Sequence, residues 1–160
     1  MSTRSRLCRR ERVQGAKGSG VLVTQAERKS RYVRLGKLCN KKAATLRRVS
    51  IKILKDLPSM LRRTMTTDNG REFADFLKIE KPLKMKVYFA NPYSPWECGA
   101  NENTNGLLRD FFPKGCDMRK VTAKEVARVQ ALLNNRPRKC LNYQTPVEVL
   151  NKLPGVALRN

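Results

Sequence analysis

Residues 20–38, GVLVTQAERKSRYVRLGKL, constrain the fold more than any other stretch of this chain. Two β-rich runs, VLVTQ and RYVRL, flank a polar turn, the pattern of an antiparallel hairpin. Beyond it, Ala44, Val49, Ile53 and Leu57 recur near helical spacing within residues 41–57, with Pro58 just past the end. TMTT (64–67) reads as a short strand ending at the turn Asp68-Asn69-Gly70. FADFLKIEKPLKM (73–85) reads as a short helix, KVYFANP (86–92) as another strand, and a further helix starts near Glu102. VTAKEVARVQALLNN (121–135) is a helix with a capping box at Thr122 and Glu125, an apolar stripe of Val126, Val129 and Leu133, and Pro137 beyond its end. Hairpin, helix, strand, helix, strand, helix, helix is the order of an α/β chain whose crossovers allow parallel strands.

Charge narrows the partner. The 160 residues carry a net charge of +22, and residues 1–63 hold 19 basic and 3 acidic side chains against 16 and 10 in the remainder. Such a field attracts polyanions, nucleic acid first among them. No apolar run is long enough for a membrane span, and the basic N-terminus lacks the apolar core of a secretory signal. There is no histidine, and the five cysteines include no C-x-x-C pair. A zinc finger, a Cys–His nucleophile and a Ser–His triad are thereby excluded, and free thiols in a reducing cytosol are expected. Chemistry in this chain has to run on carboxylates, lysines or a bound metal.

The carboxylates give the sharper signal. Asp68 stands where a predicted strand ends, and Glu102 at a predicted helix start among Asn101, Asn103 and Asn105. A turn aspartate and a first-turn dipole partner account for each alone. Together, at the ends of two elements, they can converge on one edge of a sheet. Arg109 follows Glu102 by seven residues, two turns along the same helix face. Phosphoryl transfer on DNA needs such an inventory: two Mg²⁺ ions about 3.5–4 Å apart, held by a few carboxylate oxygens, with no histidine required.

TTDNGREF, VYFANPYSPWECGANENTNGLLRDFFPKG and LLNNRPRKCLNYQTPVEVL resemble the catalytic core of the DDE transposases of the insertion sequence thirty family, whose fold is shared with retroviral integrases. The resemblance covers about residues 13–150. It implies an RNase H-like α/β fold, a mixed sheet flanked by helices, with a basic segment (1–12), expected to be irregular, before it and a tail (151–160) after it. It also implies a D-D-E triad with 33 residues between the second aspartate and the glutamate, the number that separates Asp68 from Glu102. By that resemblance Asp68 and Glu102 are catalytic ligands of Mg²⁺ or Mn²⁺, and Arg109 is the basic residue typical seven places past the glutamate. The amides of Asn101 and Asn105 are suited to DNA phosphates or bases. Arg136, Arg138 and Lys139 are expected to touch phosphates, with a plain solvated basic turn as the alternative. Tyr93 and Trp96 either stack on an unpaired base or pack their loop onto the core.

The pattern breaks near the N-terminus. Counting back from Val13, the place of the family's first aspartate falls on Glu11, one methylene longer and flanked by Arg10 and Arg12. A misplacement of about 1 Å in such a site can cost about a hundredfold in rate. The helix-turn-helix region that reads transposon ends in the family has no counterpart in this sequence. Two functions therefore stand open. One is a metal-dependent core for DNA cleavage and strand transfer (DNA integration and recombination), inactive on its own if truncated. The other is a non-catalytic DNA-binding remnant that regulates a full-length transposase through mixed oligomers. An RNA- or ribosome-associated protein accounts for the charge but not for the acid spacing. The implied partners are transposon-end and target DNA and further transposase copies, at the bacterial nucleoid in the cytoplasm, with no membrane.

Overall fold

A computed structural model of the chain describes residues 6–8, 13–14, 20–40, 42–67, 77–91 and 99–153. The strands are β1 (Arg6–Cys8), β2 (Val13–Gln14), β3 (Val21–Glu27), β4 (Val33–Leu38), β5 (Thr64–Thr67) and β6 (Lys86–Phe89). The helices are α1 (Ala43–Lys55), α2 (Leu77–Leu83), α3 (Gly99–Arg109), α4 (Ala123–Asn134) and α5 (Pro146–Asn151), with 3-10 turns at Ser59–Leu61 and Lys139–Leu141.

The expected hairpin is β3 and β4, antiparallel from Val21↔Leu38 to Ala26↔Val33. The other edge of β3 takes β2 at Val13↔Leu22 and β1 at Cys8↔Ala26. From β1 onward the pairing turns parallel, β1 to β5 and β5 to β6. The sheet is thus mixed. One expectation needs correction: Arg6–Cys8, in the segment read as irregular, form a strand between β3 and β5. That stretch has the composition of a solvated run. Its strand is set by non-local pairing on both sides, to which local propensity is blind.

Every residue of β3 is buried, because helices cover both faces of the sheet. On one face α1 and α2 pack Leu54, Ile79 and Leu83 against Met65 and Val87, while Leu46 meets Val21, Val23 and Leu38. Gly36 lets α1 approach: a Cβ there would lie 2.5 Å from Val49 Cγ1. On the other face Leu108 of α3 and Val126, Val129 and Leu133 of α4 close over Leu22, Val33 and Leu35. The capping box at Thr122 and Glu125 forms as expected, and Thr145 and Glu148 build a second one that starts α5.

α4 also seals the free edge of β4. Asn134 Oδ1 accepts from Val33 N at 2.8 Å, its Nδ2 donates to Val33 O at 2.9 Å, and Gln130 Oε1 accepts from Leu35 N at 2.9 Å. These bonds cover the edge at Val33 and Leu35, which leaves less of it as a template for another chain. Among the described residues no helix is long and apolar enough to cross a membrane.

Candidate active site

α3 carries the central candidate, and its rotation decides what faces the solvent. Asn101, Thr104 and Leu108 form its buried stripe. Asn101 Nδ2 donates to Thr24 Oγ1 at 3.2 Å, and the Thr24 hydroxyl donates to Asn105 Oδ1 at 2.8 Å. Thr24 lies on β3, so these bonds fasten the first two turns of α3 to the middle of the sheet. With that stripe fixed inward, Glu102 in the first turn is exposed. Arg109, half-buried in the last turn, lies about 20° from Glu102 around the helix at the usual 100° per residue.

Three elements converge beneath that first turn. Cys8, at the end of β1, pairs with Ala26 of β3, two residues from Thr24, and with Thr66 of the parallel β5. Asp68 follows the end of β5 by one residue and Glu11 follows the end of β1 by three, so both flank this junction in sequence. Asp68, Glu11, Tyr93 and Trp96 lie outside the described residues. Among the described residues no group of three His, Cys, Asp or Glu side chains stands close enough to share a metal. The donors singled out from the sequence are carboxylate oxygens throughout, a set that suits a hard cation such as Mg²⁺ rather than a thiolate- or imidazole-seeking metal.

A second polar feature adjoins α3. A cleft of about 450 Å³ is lined by Arg28, Arg31 and Arg138 together with Gly99, Ala100 and Asn103. The β3–β4 turn supplies the first two arginines. Buried Glu27 accepts from Ser30 N at 2.6 Å and Ser30 Oγ at 2.7 Å, and its own N–H donates to Tyr32 O. Arg31 adopts a left-handed backbone, φ +60, which for a non-glycine residue costs of order 1–3 kcal/mol. Arg138 arrives from the far end of α4. Its N–H donates to Gln144 O, its carbonyl accepts from Tyr143 N, and Nη2 donates to Leu133 O. Burial, then the charges of Arg136 and Arg31, hold its guanidinium below the usual value.

The residues singled out in the sequence have separated into groups. Glu102 and Arg109 share one face of α3. Asn101 is fully buried, so its amide positions the helix and is not presented to DNA. Asn105 is half-buried and likewise holds Thr24. Arg136 and Lys139 are exposed on the loop after α4, while Arg138 alone turns into the cleft. Sequence reasoning missed Thr24, Arg28, Arg31 and Asn134. Thr24 and the inward turn of Asn101 had a signal: Asn101 precedes Leu108 by seven residues, so the two share the apolar side of α3. Cys39, Cys116 and Cys140 are free thiols.

No family model matches the chain. The transposase for insertion sequence element IS4351 of Bacteroides fragilis is 40% identical over 139 residues, 87% of this chain and 42% of the relative. Transposase InsI for insertion sequence element IS30A of Escherichia coli (strain K12) is 42% identical over 146 residues, 91% of this chain and 37% of the relative. The chain therefore spans about two fifths of the length of these curated relatives. Among solved structures, a chain of the simian T-cell lymphotropic virus intasome superposes with a TM-score of 0.74 at 16% identity, over 98% of this chain and 58% of that one. The HTLV-2 integrase catalytic core domain, in complex with magnesium in a trimeric form, gives a TM-score of 0.67 at 15% identity, covering 91% of this chain and 95% of that core. The catalytic core domain of BIV integrase gives 0.69 at 17%, covering 90% and 91%. At these identities the superpositions establish the fold, the RNase H-like core of integrases.

Proposed function

The chain is a relative of the insertion sequence thirty transposases folded as an integrase catalytic core, and from that premise we propose that it is the catalytic core of a DNA transposase, completed on its N-terminal side by the strand Arg6–Cys8. Its reaction is metal-dependent cleavage of DNA at an element end, followed by joining of the freed 3′-hydroxyl to target DNA. One observation carries the reading: Glu102 stands exposed on the first turn of a helix bolted to Thr24, above the strand ends that Asp68 and Glu11 follow. Asp68 and Glu102, with Glu11 as third carboxylate, would hold Mg²⁺ or Mn²⁺. Such a cation lowers the pKa of an attacking water and stabilises the leaving oxygen. Arg109, on the face of Glu102, orients a phosphate of the scissile strand, and the exposed Arg136 and Lys139 add backbone contacts.

Oligomerisation with itself or with a full-length transposase belongs to the same reading, supported by the trimeric form of the HTLV-2 integrase core. The proposed place of action is the nucleoid, in the cytoplasm, supported by the bacterial sources of the relatives. The test is nicking of supercoiled plasmid in Mn²⁺ by the parent chain, Glu102→Gln and Glu11→Asp. Nicking by the parent that disappears in Glu102→Gln is the expected result. A silent parent rescued by Glu11→Asp would mean a sound scaffold with a broken triad. Silence from both would overturn the enzymatic reading in favour of a DNA-binding remnant.

A further inference from the structure

The cleft beside α3 lies on the flank away from Glu102. Gly99, Ala100, Asn103 and Thr104, the helix residues that line it, centre about 140° around α3 from the pair Glu102 and Arg109. Asn101 and Leu108 of the buried stripe lie between the two groups on the sheet side, and Thr104 borders the cleft. The cleft therefore belongs to no carboxylate site on that helix. Its described lining contains three arginines and no acid.

Arginines are seldom gathered without an acid, because each raises the cost of charging its neighbours. Burial first, and then the charges of Arg136 and Arg31, hold the Arg138 guanidinium below its usual value. Its Nε is buried and has no hydrogen-bond partner among the described residues. An anion entering the cleft would relieve the crowding of the guanidinium charges. The first turn of α3, the positive end of its dipole, also lines the cleft, and a Cβ on Gly99 would meet nothing within 4 Å. Guanidinium forks match the tetrahedral oxygens of phosphate, and three of them exceed what one carboxylate would need.

We infer that this cleft is a second phosphate subsite, in which Arg28, Arg31 and Arg138 grip a backbone phosphate of the DNA on the side of α3 opposite Glu102. The inference rests on the reading that the chain acts on DNA. It adds a purchase on the duplex separate from the scissile phosphate, so that α3 is straddled by its substrate.

The test is anisotropy of a fluorescent 30-base-pair duplex titrated with the full chain at several salt concentrations. Loss of a phosphate contact lowers the slope of log K against log salt by about 0.9. The Arg28→Gln/Arg31→Gln chain is expected to lose about one to two in slope and to bind about tenfold more weakly at low salt. Lys55→Gln, on the exposed side of α1, should keep the parental slope. A double variant with unaltered circular dichroism and the parental slope would overturn the proposal. Cys140 lines the same cleft and is exposed, which gives a readout that needs no variant. Duplex should slow its alkylation by iodoacetamide, read by peptide mass spectrometry, while Cys39 serves as reference. Equal alkylation with and without duplex would contradict the assignment. Inorganic phosphate at constant ionic strength separates the two sources of the anion. If phosphate alone protects Cys140 and duplex does not, the site takes free phosphate and the DNA assignment fails. Plasmid nicking is scored separately, so a chain without nuclease activity that still loses slope keeps the subsite while losing the catalytic reading.

Discussion

α1 and α2 cover one face of the sheet chiefly by filling volume, whereas α3 and α4 cover the other with apolar contacts plus hydrogen bonds aimed at named backbone and side-chain atoms. Under α1 the approach is set by Gly36, where Val49 and Ile53 occupy the space a side chain would take. The polar contacts of that face sit at the sheet's margins, where Arg34 reaches Ile53 O and the exposed Asp56 and where Glu80 Oε1 of α2 accepts from Val87 N at 2.7 Å. Under α3 and α4, Thr24 holds two asparagines, Asn134 clamps Val33 at both its N–H and C=O, and Gln130 takes the N–H of Leu35. An apolar contact fixes how near a helix lies but leaves its rotation loosely set. Directional bonds fix the rotation, and this is the face that has to aim Glu102, Arg109 and the arginine cleft.

The largest effect should come from the face held by volume. Leu54 is fully buried among Met65, Ile79 and Leu83, so Leu54→Ala should cost about 3 kcal/mol in urea unfolding. The folded fraction should bind DNA as the parent does. A variant that kept its stability but lost DNA affinity would break the division between the faces.

Thr24→Val keeps the shape and removes the hydroxyl. Its cost in stability should be modest, about 1 kcal/mol, because one buried and one half-buried amide lose a partner. Its cost in plasmid nicking should be larger, tenfold or more, because a helix free to rotate misplaces Glu102. Equal losses in both assays would show that Thr24 merely stabilises.

The smallest effect is a pH dependence. Glu125 is held below the usual carboxylate range, chiefly by the Thr122 backbone N–H and then by its hydroxyl. A depressed carboxylate stabilises the fold above its unfolded pKa, about 4.3, and that contribution is lost as pH falls through the lower folded value. Between pH 5 and pH 3 the Tm of the parent should therefore fall more steeply than that of Glu125→Gln. Parallel curves would remove the capping box from the account.

The difference between the faces also explains what could be read from the sequence. The hairpin, the TMTT strand and the box at Thr122 and Glu125 are local, written in neighbours within a few residues, and the structure has them where the pattern puts them. The integrase-type fold was legible through the resemblance around Glu102. The strand Arg6–Cys8 was not, because its partners are β3 and β5 and it sits in an arginine-rich run. Nor was the Asn134–Val33 clamp, whose members stand 101 residues apart, or the cleft, which joins a turn at residues 28–31 to Arg138. Directional contacts of that span carry no periodicity, so no window along the chain reveals them. The same blindness misdirected Asn101: its amide suits DNA in isolation, and only its place above Thr24 turns it inward.

The central claim is that Asp68 and Glu102 share a divalent cation. Titration of the full chain with Mn²⁺, followed by loss of the free-ion electron paramagnetic resonance signal, tests it without DNA or turnover. Parent binding that weakens at least tenfold in both Asp68→Asn and Glu102→Gln, with Arg109→Gln unaffected, is the predicted result. Mn²⁺ binding that is the same in Glu102→Gln as in the parent would contradict the account.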